Sequence, residues 1–200
     1  MIDHFCNHSL NERQMKALLL MVLPVLCLAS CTHSCHDSDC ETAGGKDERC
    51  ACDSKKFGTI TKLYARCFAR YATSCSQRVG RSSCSIEGQN AFCGLDHLTR
   101  FTHTWLFAYC TAKRAPHCSI DVFGNSCEVI GENAHCRGGS IETQTQTFLV
   151  PQCGAANTVQ CSVSCGQGSC SKENCPHGKP SCHCQERDGQ LVPSCVCGPF

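Results

Sequence analysis

Cysteine is the residue whose abundance and spacing can do chemistry in this chain: it takes 24 of the 200 positions. Zinc ligation, a reactive thiolate and disulfide formation compete for cysteines at this density. Structural zinc typically draws its ligands from C-x2–4-C pairs matched with a second pair or with His, and the chain has no C-x2-C. His33, His36, His177 and His183 lie in the cysteine-dense ends, but they read as solvated loop residues, so no metal site is expected. From Cys31 onward there are 22 cysteines, an even number that suits complete pairing. An even count in an oxidising compartment leaves no thiol for nucleophilic catalysis.

Other chemistry is sparse. The chain has no H-E-x-x-H, no G-x-S-x-G, no phosphate-cradling glycine loop and no G-x-G-x-x-G. Asp37, Asp39 and Glu41 could seat a calcium ion, yet they also read as a solvated acidic loop. Gly88-Gln-Asn-Ala and Gly131-Glu-Asn-Ala recur at equal phase and read as turns with glycine at positive φ. No cofactor and no enzymatic activity are expected. Charge is balanced, 18 Lys+Arg against 17 Asp+Glu, so no basic excess points to nucleic acid. Aromatic residues make up only 6%, too few for one large core.

The elements that must position the cysteines begin after an export signal. Residues 1–30 read as a signal peptide: Lys16 precedes a short apolar run that ends in small residues, with Met15 as an alternative start. No stretch predicts a transmembrane span. Leu28-Ala29-Ser30-Cys31 also resembles a bacterial lipobox, which would place a lipid on Cys31. Plain secretion is the first reading and a lipid anchor at the cell surface the second, because lipid on Cys31 would leave an odd cysteine.

Cysteine steps of 8, 9, 9 and 17 repeat from Cys67, giving a period of 43 residues, and 14 of 38 positions are identical between 75–112 and 118–155. LVPQC (149–153) matches LVPSC (191–195) and fixes the frame. Four modules follow, at 31–74, 75–117, 118–160 and 161–200. Their framework cysteines are 31/40/50/67, 75/84/93/110, 118/127/136/153 and 161/170/182/195. Cys35 and Cys52 are extra in module one, and Cys165, Cys175, Cys184 and Cys197 in module four. Such end units differ because one flank faces solvent. Thr59-x-Thr61, Thr102-x-Thr104 and Thr145-x-Thr147, trailed by Leu63, Leu106 and Leu149, read as short strands with one wet face. The expected fold is small and disulfide-rich: a tandem array of four ~43-residue modules with short β-strands and loops and little helix. Each module should hold a small apolar strip rather than a share of a common core. The connectors 68–74 and 111–117 contain no Pro-rich or Gly-rich spacer, so the modules should be closely jointed.

Module one runs C-x3-C-x4-C-x9-C-x-C-x14-C, and module four follows the same order once Cys175 is set aside. That order, with C-x-C between the fourth and fifth cysteines, resembles an EGF-like module. The resemblance implies extracellular binding or adhesion. It also implies a first–third pairing, which in the inner modules gives Cys75–Cys84 with Cys93–Cys110, and Cys118–Cys127 with Cys136–Cys153. In module one Cys31–Cys40 is common to two schemes. EGF-like pairing adds Cys35–Cys50 and Cys52–Cys67, whereas the repeat adds Cys50–Cys67 and Cys35–Cys52 and is preferred. In module four the repeat gives Cys161–Cys170, Cys182–Cys195 and Cys165–Cys184, leaving Cys175–Cys197.

The function expected is that of a secreted or surface-anchored repeat protein acting as an extracellular binding, adhesion or structural module. Its partner would be an extracellular protein or glycan. CHCQERDGQLVPSC (182–195) is also similar to a piece of small Cys-rich protease inhibitors. The alternative is therefore an inhibitor acting through an exposed braced loop, with Arg187 or Lys179 presented to the protease.

Overall fold

The structure, a computed structural model, describes residues 30–57, 60–100, 103–143 and 146–198. The expected leader, apart from Ser30, and Thr59, Thr102 and Thr145 lie outside the described residues. Within them every regular element is a β-strand and none is a helix. This is the small disulfide-rich class that cysteine content predicts.

Period-two alternation of cysteine or aliphatic residues with Ser, Thr or acidic residues makes half-buried strands. One set of hairpins comes first in each repeat. β1 (Ser30–Cys35) pairs with β2 (Ser38–Ala43), and β5 (Ser74–Val79) with the start of β6 (Ser82–Arg100). The end of β7 (His103–Val122) pairs with β8 (Asn125–Glu132), and β11 (Asn157–Cys165) with β12 (Gly168–Glu173). Each closes through a two-residue loop whose first residue has positive φ: His36 57°, Gly80 54°, Phe123 56° and Gly166 62°. The mirror-image hairpin turns need this conformation.

These hairpins join edge to edge in the antiparallel order β1-β2-β5-β6-β7-β8-β11-β12. Their inner face carries Cys75, Val79, Cys84, Ile86, Cys118, Ile120, Val122, Cys127, Val129, Cys161 and Val163, all buried. The second hairpin of each repeat lies against that face. These are β3 (Lys46–Phe57) with β4 (Ile60–Arg70), the remainders of β6 and β7, β9 (His135–Glu142) with β10 (Thr147–Gly154), and β13 (Lys179–Arg187) with β14 (Gln190–Gly198).

The disulfides join the two layers. First to third framework cysteines give Cys31–Cys50, Cys75–Cys93, Cys118–Cys136 and Cys161–Cys182. Second to fourth give Cys40–Cys67, Cys84–Cys110, Cys127–Cys153 and Cys170–Cys195. The structure also joins Cys35 to Cys52, Cys165 to Cys184 and Cys175 to Cys197. The pairings Cys31–Cys40, Cys50–Cys67, Cys75–Cys84, Cys93–Cys110, Cys118–Cys127, Cys136–Cys153, Cys161–Cys170 and Cys182–Cys195 are therefore corrected. The EGF-like alternatives Cys35–Cys50 and Cys52–Cys67 are not formed either.

The reason is geometric. Cys50 and Cys67, Cys93 and Cys110, Cys136 and Cys153, and Cys182 and Cys195 sit directly opposite on one ladder. Members of such a pair share a face, and that face meets the other hairpin. The sulfurs of Cys136 and Cys153 lie 3.2 Å apart, yet each is bonded across the layers. Bonding within a hairpin would only duplicate the backbone ladder.

From the end of the first repeat onward the core is continuous, which corrects the expectation of isolated apolar strips there. One cluster runs from Ala69 and Ala72 through Phe107, Val122 and Val150 to Cys184. A small second cluster, Cys35, Cys40, Ala65 and Cys67, serves the first repeat. Leu63 is 49% exposed and stays outside both. Between hairpins the chain is bolted down: Ala91 N–H donates to Ala72 O, and Ala134 N–H to Ala115 O. A Cβ on Gly88 would meet the Ala115 backbone at 2.7 Å. On Gly131 it would strike the Asn157 carbonyl. Close backbone approach dictates both glycines. Of the two, only Gly88 has positive φ; Asn90 and Asn133, at φ 54°, are the left-handed residues of the two recurring motifs.

Candidate functional site

Two surfaces can do chemistry. The first is the outer face of the eight-strand path. Opposing residues line up in two rows across it. One reads Ser34, Asp39, Arg78, Ser83, Asp121, Ser126, Ser164, Ser169; the other Thr32, Glu41, Ser76, Ser85, Ser119, Glu128, Ser162, Ser171. Eleven of these 16 are Ser or Thr, and none is apolar. They stand out because framework cysteines point inward, so their chain neighbours must point outward. Ser85 and Ser119 hydroxyls are 3.0 Å apart. Arg78 Nε donates to Asp39 Oδ2 at 2.7 Å. That guanidinium, helped by Ser34, holds the Asp39 carboxyl below its ordinary range.

The second surface is a groove of about 500 Å³ where the tips of neighbouring hairpins meet. His36, Asp37, Gly80 and Arg81 come from two-residue loops; Lys62, Leu63, Trp105 and Leu106 come from the second layer. Trp105, the single tryptophan, stacks on His103 with centroids 5.8 Å apart. The Arg81 guanidinium lies 5.8 Å from the Phe123 ring centroid.

Other sequence-predicted residues do not converge. Asp37 faces the groove, whereas Asp39 and Glu41 lie on the outer face. Among the described residues, the clusters of metal-ligating atoms are Cys40, Cys50 and Cys67, and Cys75, Cys93 and Cys110, all disulfide sulfurs. His33 Nε2 lies 3.5 Å from Cys52 Sγ. His177 and His183 are exposed. Lys179 Nζ donates to Ala156 O at 2.6 Å, tying down that side chain. Arg187 is exposed at the head of the Asp188-Gly189 turn, where Gly189 N–H donates to Glu186 Oε1 at 2.6 Å. The sulfur that a lipid on Cys31 would need is bonded to Cys50.

On a second-layer hairpin, Asp53 is held below its ordinary range by the Ser54 N–H and then by Arg66 and Tyr64. Burial, reinforced by Asp53, pushes the Tyr64 hydroxyl up.

The Ser rows were open to sequence reasoning, in triplets such as Ser74-Cys75-Ser76, Ser83-Cys84-Ser85 and Ser169-Cys170-Ser171. The groove was not, because its residues are scattered over three repeats. Comparison with protein families, with curated proteins and with solved structures finds no match.

Proposed function

We propose that this extracellular disulfide-rich protein is a binding protein of adhesive or structural type, which meets its partner through the hydroxyl-lined face of its long sheet. The observation that carries this reading is the run of short side chains in two registered rows across eight strands. A face that served solubility alone would favour long charged side chains. Serine keeps the face flat, offers a donor and acceptors at each position, and loses little rotamer freedom when covered. The eleven disulfides among the described residues hold the face rigid, which lowers the cost of ordering it on binding. The partner is an extracellular protein or glycan. Secretion is favoured over a lipid anchor by the Cys31–Cys50 bond, and binding over catalysis by the open, shallow surfaces. Inhibition through Lys179 or Arg187 is disfavoured, because one is tied down and the other enters a two-residue turn with no extended loop.

The test uses the oxidised protein with Ser85 and Ser119 both changed to Arg. Retention on immobilised cell-surface and matrix material from the source organism should fall at least about tenfold, the effect of disrupting one or two good polar contacts, with melting and disulfide map unchanged. Undiminished retention of a correctly folded double variant would remove the face from the mechanism.

A further inference from the structure

The groove that spans the hairpin tips of the first three repeats is a separate site, and from it we infer that the protein binds a pyranose unit of an acidic glycan there. A pyranose has a C–H face that packs on an aromatic ring and an equatorial belt of hydroxyls that need polar partners. The groove supplies both: Trp105 and Phe123 as aromatic surface, with Asp37, Lys62 and Arg81 around them. About 500 Å³ falls within the range of small-ligand pockets. Two cations against one carboxylate favour a uronic acid, a sugar bearing a carboxylate, and Arg81 offers the planar donors that a carboxylate accepts.

The corresponding place one repeat further on is bridged by a side chain. There Asn125 Nδ2 donates to Leu149 O at 2.9 Å, and Asn125 Oδ1 accepts from Gly166 N–H at 3.1 Å, so one side chain bridges tip and second layer. In the first two repeats Ser38 and Ser82 occupy that position. Both hydroxyls turn inward, Ser38 to Arg78 O and Ser82 to Asp121 O. The opening therefore follows from particular residues and is not a general feature of the array.

A sole tryptophan makes the experiment direct. Oxidised wild-type protein is titrated with hexagalacturonate and with cellohexaose while Trp105 emission is followed. Hexagalacturonate should shift the emission saturably, with affinity at least about tenfold above cellohexaose and falling with salt. By calorimetry Trp105→Ala should abolish binding and Arg81→Ala should weaken it about tenfold, both with the wild-type disulfide map. No response to hexagalacturonate, a response to cellohexaose alone, or Trp105→Ala binding as tightly as wild type would each overturn the assignment. The Ser85/Ser119 double arginine variant should bind hexagalacturonate normally, so failure here and failure of the face proposal are read separately.

Discussion

Gln77 sits in the row where the equivalent strands carry Ile120 and Val163, and it is only 2% exposed. Its amide nitrogen reaches Ser38 Oγ at 3.0 Å and the carbonyls of Asp39 and Ala65 at 3.2 Å. One polar side chain thereby joins the first layer to the second. Gln77→Leu would match the hydrophobic pattern of the siblings but leave buried acceptors unpaired. It should destabilise the protein by about 1–3 kcal/mol, measured as a lower denaturation midpoint at unchanged slope. Asp39 gives a pH-dependent case. Its folded pKa is depressed, so its contribution is complete above the ordinary carboxylate pKa and is lost as pH falls through the folded value. Arg78→Ala should move the Asp39 titration up toward 3.8, observable by carboxylate NMR. The stability lost above that pH should be no more than ~1 kcal/mol, because the pair is exposed.

Interlocking of two hairpins by two crossed cystines is the recurring element. Non-reducing peptide mapping should recover Cys75 with Cys93 and Cys84 with Cys110; a peptide joining Cys93 to Cys110 would contradict the layered arrangement. The first repeat adds one bridge to its framework pair and the fourth adds two, where the inner repeats add none. Cys35 and Cys52 correspond in position to Val79 and Leu95 in the second repeat, and to Val122 and Gly138 in the third. At Gly138 a Cβ would meet the Phe107 ring at 2.5 Å, so an inner repeat fills that space with aromatic packing. The double variant Cys35→Val, Cys52→Leu should therefore fold with its other ten bridges intact. It should lose about 3 kcal/mol or less, the value expected for a loop of this size. Cys35→Val alone leaves a free thiol beside His33 and should scramble on oxidative refolding, seen as mixed disulfides by mass spectrometry.

At the scale of the molecule, cystines span both layers from one end of the sheet to the other, and much of the buried core is cysteine. Reduction by excess thiol should thus unfold the whole described chain, abolishing near-UV dispersion and protease resistance together. A surviving repeat-sized fragment would show that the aliphatic residues suffice alone. The edges of the sheet are the other global feature: among the described residues, β1 and β12 stand at the two ends of the strand order. β2–β5, β6–β7 and β8–β11 all pair in one register, and β12 of one molecule could in principle add to β1 of another the same way. Lys172 stands on the inner face of β12, opposite Cys161, where sibling strands carry Thr42, Ile86 and Val129. His33 occupies the inner row of β1. Inward-pointing polar groups on edge strands block such addition. Lys172→Val should produce concentration-dependent end-to-end assemblies larger than the wild-type species by sedimentation velocity; a distribution unchanged from wild type would place the block elsewhere.

Sequence by itself determined the class, because cysteine density with few aromatic residues points to a cross-linked chain without a large core, and the alternating Thr segments point to short strands. Phase also marked the framework cysteines and the extra cysteines of the end repeats, since periodicity survives in one dimension. Which cysteine meets which did not follow. Spacing along the chain says how far apart two residues can be, whereas pairing depends on which face each hairpin turns to the other. Cys93 and Cys110 are neighbours on one ladder, yet each bonds to the opposite layer. The continuity of the sheet and the opening beside Trp105 were likewise decided only in three dimensions. Both arise from residues of different repeats, brought together by edge-to-edge hydrogen bonding that leaves no signature in any single segment.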